Sequence, residues 1–282
     1  MTSDSLDAID ALRKSFGGAP LTHFVSAAYF TKAVPDPTAV DTITAAVHPG
    51  DELAVHLHAW RSLAQASGIS PKLSPSFLTG TDALLAFDDG DTGFDTDLDA
   101  YSVVDLRAML RMSRTLLERT QLPVSQSFRA GGYLATPKVF EAMRAEGFRV
   151  DSSATAARQL DAGKDGFLTK RLEGVWPDVQ AGTQPYLVHQ PSGDVTEVPI
   201  AAIADYATAA QVVAAFDAAH VRLQATPDRD VFVVLAFHQE TATEFVGRLA
   251  QAIATVQARP EIASELKFTT IQGAAALAHP HG

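Results

Sequence analysis

The hydrophobic positions of the chain follow two alternating periods. Residues 4–16 (DSLDAIDALRKSF) place Leu6, Ile9, Leu12 and Phe16 at helical spacing, and Gly17-Gly18 ends the run. LTHFVSAAYF (21–30) reads as a strand, and a helix is expected from near Pro37 to before Pro49. ELAVHLH (52–58) is the next strand. YSVVDLRAMLRMSRTLLERT predicts a long amphipathic helix, with Ser102 as N-cap and Asp105 three residues on, a variant of the capping box. PVSQSF is a strand candidate, and Thr136-Pro137 opens another helix with a cap and a proline at its first position. GFRVDSS, VTEVPI, VFVVLAF and LKFTT read as further strands, with helices near 208–224 and 240–257. Strand–helix alternation implies a parallel sheet, so an α/β barrel, closed or nearly closed, is expected.

One segment interrupts the rhythm. Residues 68–101 have no clear periodicity, and aspartates stand at 82, 88, 89, 91, 95, 97 and 99. A loop this long inside a compact domain is uncommon. The glycine and glutamate positions of an EF-hand are missing, so a solvated acidic loop is the expected reading.

Composition narrows the function. The 282 residues carry a net charge of −11, which argues against nucleic acid as a partner, because phosphate binding needs a basic face. No apolar run reaches the roughly 18 residues of a membrane span, and the opening MTSDSLDAID is polar and unlike a signal peptide. The chain is expected to be soluble, in either a bacterial cytoplasm or the cell envelope. With no cysteine, disulfide and thiolate chemistry are excluded. The length suits one domain over 1–282.

Polar residues gather at the carboxyl ends of the expected strands. His56 and His58 close one strand, Arg129 follows SQSF, Asp151 ends GFRVD, and His238 ends VFVVLAF with Glu240 two residues on. That end is where α/β barrels carry their catalytic groups. Neutral imidazoles with a carboxylate at one mouth suit a divalent metal, typically zinc. In a strand, positions i and i+2 face the same side, so His56 and His58 are expected to face that mouth together.

ELAVHLHAW, SFRAGGYLATPKVFEAMRAEGFRVDSSA and FHQE resemble the polysaccharide deacetylases, metal-dependent carbohydrate esterases that remove N-acetyl groups from glycans. The resemblance runs from about residue 21 to residue 272, on the bacterial branch whose second motif is His-x-His followed by a tryptophan. It implies a distorted (β/α) barrel of about seven parallel strands and a zinc or similar ion held by one aspartate and two histidines. His56 matches the first histidine of the metal motif. The second ligand usually lies four residues on, where this chain has Trp60, so His58 takes that place. Arg129 matches the arginine that orients the catalytic aspartate, and Tyr133 would line the groove. Asp151 would support the arginine or the acid histidine, and His238 would protonate the departing sugar nitrogen in a metal-assisted hydrolysis.

The family's first motif, Asp-Asp or Asp-x-Glu after a first strand ahead of the opening helix, has no counterpart at that place. A first strand removed or lost, a degenerate glycan-binding relative, and FDDG (87–90) acting in its stead are the three explanations. FDDG makes Asp88 a metal-ligand candidate and Asp89 a catalytic one, with Asp95, Asp97 and Asp99 behind them. A barrel lacking its first strand exposes sheet edges, which favours homodimerisation. Trp60 and Trp176 are candidate sugar-stacking residues, with core packing as the alternative. Glu240 is expected to bond His238 or cap the following helix, His23 to be buried or to line the groove, and His279 and His281 to lie in a frayed tail. A non-glycan metal-dependent amidohydrolase is the remaining alternative, but no strand-end lysine stands out for it.

Overall fold

The computed structural model describes residues 3–33, 36–82, 84–86, 90–160 and 166–278. Asp88, Asp89, His279 and His281 therefore lie outside the described residues. Helix α1 (Ser3–Ser15) leads into strand β1 (Thr22–Ser26), then α2 (Ala39–Ala46), β2 (Glu52–Leu57) and α3 (Arg61–Ala66). After the acidic segment come α4 (Val103–Leu117), β3 (Val124–Ala130), α5 (Pro137–Ala145) and β4 (Val150–Asp151). The remainder comprises α6 (Gly166–Val175), β5 (Tyr186–Val188), β6 (Val195–Glu197), β7 (Ala202–Ile203), α7 (Ala209–Ala225), β8 (Leu235–Ala236), α8 (Ala242–Gln257), α9 (Pro260–Ala263) and α10 (Ile271–Ala278).

Local chemistry explains the helix ends. Ser102 and Asp105 form the expected capping box at α4, and Thr208 and Gln211 form another at α7. Pro137 opens α5, but the Thr136 hydroxyl donates to Asp99 Oδ1 at 2.6 Å instead of capping the helix. The buried Glu52 accepts the Gln272 N–H at 3.0 Å and so holds the start of α10 against β1 and β2.

Six strands form one sheet in the order β1-β2-β3-β4-β6-β5, parallel except for β5, and β7 and β8 make a separate parallel pair. A barrel was expected; among the described residues no sheet is closed. Register aligns Ser26 with His56, His56 with Arg129, and Phe128 with Asp151, so the strand ends lie side by side. The main core beneath them includes Leu53, Val55, Leu57, Phe128, Leu106 and Met109. A second core joins α1, α7 and α8 through Ile9, Leu12, Val212, Phe216, Leu249 and Ile253.

Two expectations fail for the same physical reason. VFVVLAF reads as a full strand, yet its ladder is limited to Leu235–Ala236, and Val231–Leu235 are half-buried. LKFTT forms no strand. Pairing needs a neighbouring edge, and β8 has β7 on one side and a cavity on the other. The acidic segment also differs from a solvated loop: Asp91, Asp95 and Asp97 are buried. Asp97 and Asp99 clamp Arg171, Asp95 accepts the Leu85 N–H, and Asp91 pairs with Lys32 at 3.0 Å.

Candidate active site

His56 and His58 leave the end of β2 with their rings at 89° and their Nε2 atoms 3.0 Å apart. His56 Nδ1 lies 3.0 Å from the Arg129 carbonyl oxygen, and His58 Nδ1 lies 2.6 Å from that of Phe94. A carbonyl can only accept, so each Nδ1 carries the proton and each Nε2 turns a lone pair toward the other. Burial, reinforced by His58, keeps His56 well below the ordinary histidine range. Burial likewise takes His58 down to about 4, against the opposing bond to Phe94. Both imidazoles are therefore neutral near pH 7, and a cation between the two lone pairs would relieve their repulsion. Ring orientation by backbone carbonyls is also how metal-binding histidines are usually held.

The FRAGGY turn makes this approach feasible. A Cβ on Gly131 would stand 2.6 Å from His58 Nδ1 and 2.8 Å from the Leu57 carbonyl oxygen, so the position excludes a side chain. Gly132 and Tyr133 both have left-handed backbone, with φ of 61° and 63°. For a bulky residue such strain costs about 1–3 kcal/mol and is commonly found at functional sites. Trp176 Nε1 donates to the Tyr133 carbonyl at 2.8 Å and steadies the turn. Trp176 thus supports Tyr133 from behind and does not line the cavity. Arg129 Nε donates to the Ser152 carbonyl at 2.7 Å, and its guanidinium lies over Phe24. Asp151 is fully buried beside Arg129, on the arginine's side of the site.

The opposite wall carries His238, whose Nδ1 is 3.2 Å from Asp205 Oδ1 and whose Nε2 is 3.2 Å from the Tyr133 hydroxyl. Asp205 also accepts the His238 N–H at 3.3 Å and the Thr241 hydroxyl. Burial opposes ionisation of Asp205, but the bond from His238 and its other donors hold its carboxyl below the usual range. A carboxylate on Nδ1 fixes the tautomer and leaves Nε2 facing the cavity. The partner of His238 is thus Asp205 and not the exposed Glu240, which lies in the short turn Gln239–Thr241. Sequence reasoning missed Asp205: it directly follows the apolar run VPIAAIA (198–204), of which only the part up to Ile200 was read as a strand.

These groups share a cavity of about 1290 Å³ that passes between β1 and β8 and continues over apolar residues such as Leu12, Phe16, Leu249 and Phe268. Lys32 sits over the Trp60 ring, 3.2 Å from its centroid, so one face of that indole is already covered. His23, half-buried, lines the cavity and bonds Asp51 at 3.0 Å. Among the described residues, no third histidine, aspartate or glutamate joins His56 and His58 in a ligand cluster. The two imidazoles fit a metal, and the fragment 87–89 bearing Asp88 and Asp89 is undescribed.

No family model matches the chain, and no curated protein matches it. Among solved structures, a Mycobacterium smegmatis protein assigned as a polysaccharide deacetylase is similar, with a TM-score of 0.57 and 15% identity. The match covers 99% of this chain and 78% of that one. The two chains share a fold. At that identity the likeness extends to the α/β architecture and not to individual side chains.

Proposed function

We propose that the chain is a metal-dependent hydrolase that removes N-acetyl groups from a glycan. The reading is carried by the paired Nε2 atoms of His56 and His58, neutral, 3.0 Å apart, and each backed by a carbonyl. Its fold-level support is the deacetylase-assigned neighbour. A bound divalent ion, zinc or a similar metal, would polarise the acetyl carbonyl and activate water. His56 and His58 would hold it, with Asp88 as the proposed third ligand. Asp89 is the proposed base. Arg129 would act by fixing His56 through its carbonyl and by placing positive charge near the reacting oxygen. His238, oriented by Asp205 and protonated on both ring nitrogens, would give its Nε2 proton to the departing sugar nitrogen and keep its Nδ1–H on Asp205, with Tyr133 steering that nitrogen's approach. Trp60, which lines the cavity, is the proposed sugar-stacking residue.

A second reading is a glycan-binding relative without turnover, favoured by the lack of a third ligand among the described residues. Acetate release from N-acetylated glycans separates the two. The hydrolase reading expects release that chelator abolishes, zinc restores, and His238→Ala lowers by about 10²–10⁴-fold. Asp205→Asn should lower it as well, through the wrong imidazole tautomer. Glycan binding with no zinc-dependent acetate release would overturn the hydrolase reading and support the second.

A further inference from the structure

The sheet below the site holds two acids that the proposed chemistry does not use. The β4–β6 register places Asp151 opposite Glu197, and both side chains are fully buried. Asp151 Oδ1 accepts the Ser153 hydroxyl at 2.7 Å, and Glu197 Oε1 accepts the Ala154 N–H at 2.9 Å. The remaining oxygens, Asp151 Oδ2 and Glu197 Oε2, meet no other donor. The charged group facing them is Arg129 from β3, whose guanidinium donates to the Ser152 carbonyl at 2.7 Å and to its hydroxyl at 3.1 Å. From β5 the phenol of Tyr186 stands opposite Glu197 in register.

Charge counting decides the state. Two carboxylates beside one guanidinium would leave an uncompensated negative charge in a dry interior. Two neutral acids would leave the arginine uncompensated. One proton between them gives neutrality and also supplies the missing hydrogen bond. We propose that Asp151 and Glu197 share a single proton, Glu197 carrying it, and that their one negative charge holds Arg129 and, through the Arg129 carbonyl, His56. Glu197 is then a positioning residue two contacts removed from the imidazole pair. Burial and the neighbouring Asp151 push Glu197 well above the ordinary carboxyl range, in keeping with this. The arrangement stands whether or not the chain hydrolyses a glycan.

The test uses the full chain and three readouts. Infrared spectra of the wild type at neutral pH should show a protonated-carboxyl carbonyl band that shifts in D2O and is absent in Glu197→Gln. Urea unfolding across pH gives the second readout. Glu197 gains its proton's stability below the unfolded pKa of about 4.3 and loses it as pH rises toward the folded value. Relative to Glu197→Gln, the wild type should lose up to about tenfold in folding equilibrium constant per pH unit above that point. The third is the NMR signal of the His56 Nδ1 proton, which reports position. Glu197→Gln, which mimics the neutral acid, should retain it. The double variant D151N/E197Q, which removes the charge and keeps the hydrogen bonds, should displace it. Absence of the infrared band, parallel stability curves, or an unmoved His56 signal in the double variant would overturn the proposal.

Discussion

The two walls of the cavity carry similar histidines on very different foundations. His56 and His58 extend from β2, which has a parallel neighbour on each side and a fully buried core row of Leu53, Val55 and Leu57. His238 extends from β8, a two-residue ladder with β7 alone beside it among the described residues, and its side chain is 40% exposed. The first wall holds two lone pairs face to face because each ring is tied to a backbone carbonyl. The second depends on one carboxylate, Asp205, for its orientation. In the proposed chemistry, fixed coordination would belong to the deep wall, and proton delivery, which needs contact with substrate, to the open one.

The largest effects should separate the walls by stability. Phe128→Ala, in the buried row behind Arg129, should cost about 3–5 kcal/mol in urea unfolding. Val233→Ala, half-buried beside β8, should cost about 1 kcal/mol. Equal losses would mean that the β8 wall is as firmly packed as the sheet. Gly131→Ala comes next. The added Cβ must displace His58 and the Leu57 backbone, for about 1–3 kcal/mol, and should disturb the histidine pair far more than His238. NMR of the three imidazoles would read that difference.

A further effect is a pH slope. His58 titrates near 4 in the fold and near 6.5 unfolded, so between those values the unfolded chain binds the extra proton. Stability from this histidine is therefore complete above about pH 6.5 and falls as pH drops toward 4. His58→Gln should flatten that part of the stability curve. A variant curve parallel to the wild type would show that His58 is not held neutral by burial.

Much of the deep wall was legible in the sequence. ELAVHLH is an apolar run that closes on two histidines and so read as a strand, and Arg129 was placed at the end of the strand after it. The Ser102–Asp105 pair marked a helix start because capping is local chemistry. What escaped depends on long-range register. The Phe94 carbonyl behind His58, the Asp205–His238 pair and the Asp151–Glu197 pair join residues far apart in sequence. The acidic segment misled for a related reason: its aspartates find partners in the half-buried Lys32 and Arg171 that composition cannot reveal. VFVVLAF misled because its residues suit a strand whose second edge is missing among the described residues.

The most direct test of the central claim is zinc retention after gel filtration, measured by elemental analysis on the wild type and on His56→Ala. A working pair of Nε2 lone pairs gives about one zinc per chain, lost in the variant and still bound at pH 5.5, because burial keeps the ligands deprotonated there. No zinc retained by the wild type, or equal zinc in the variant, would contradict a metal role for these histidines.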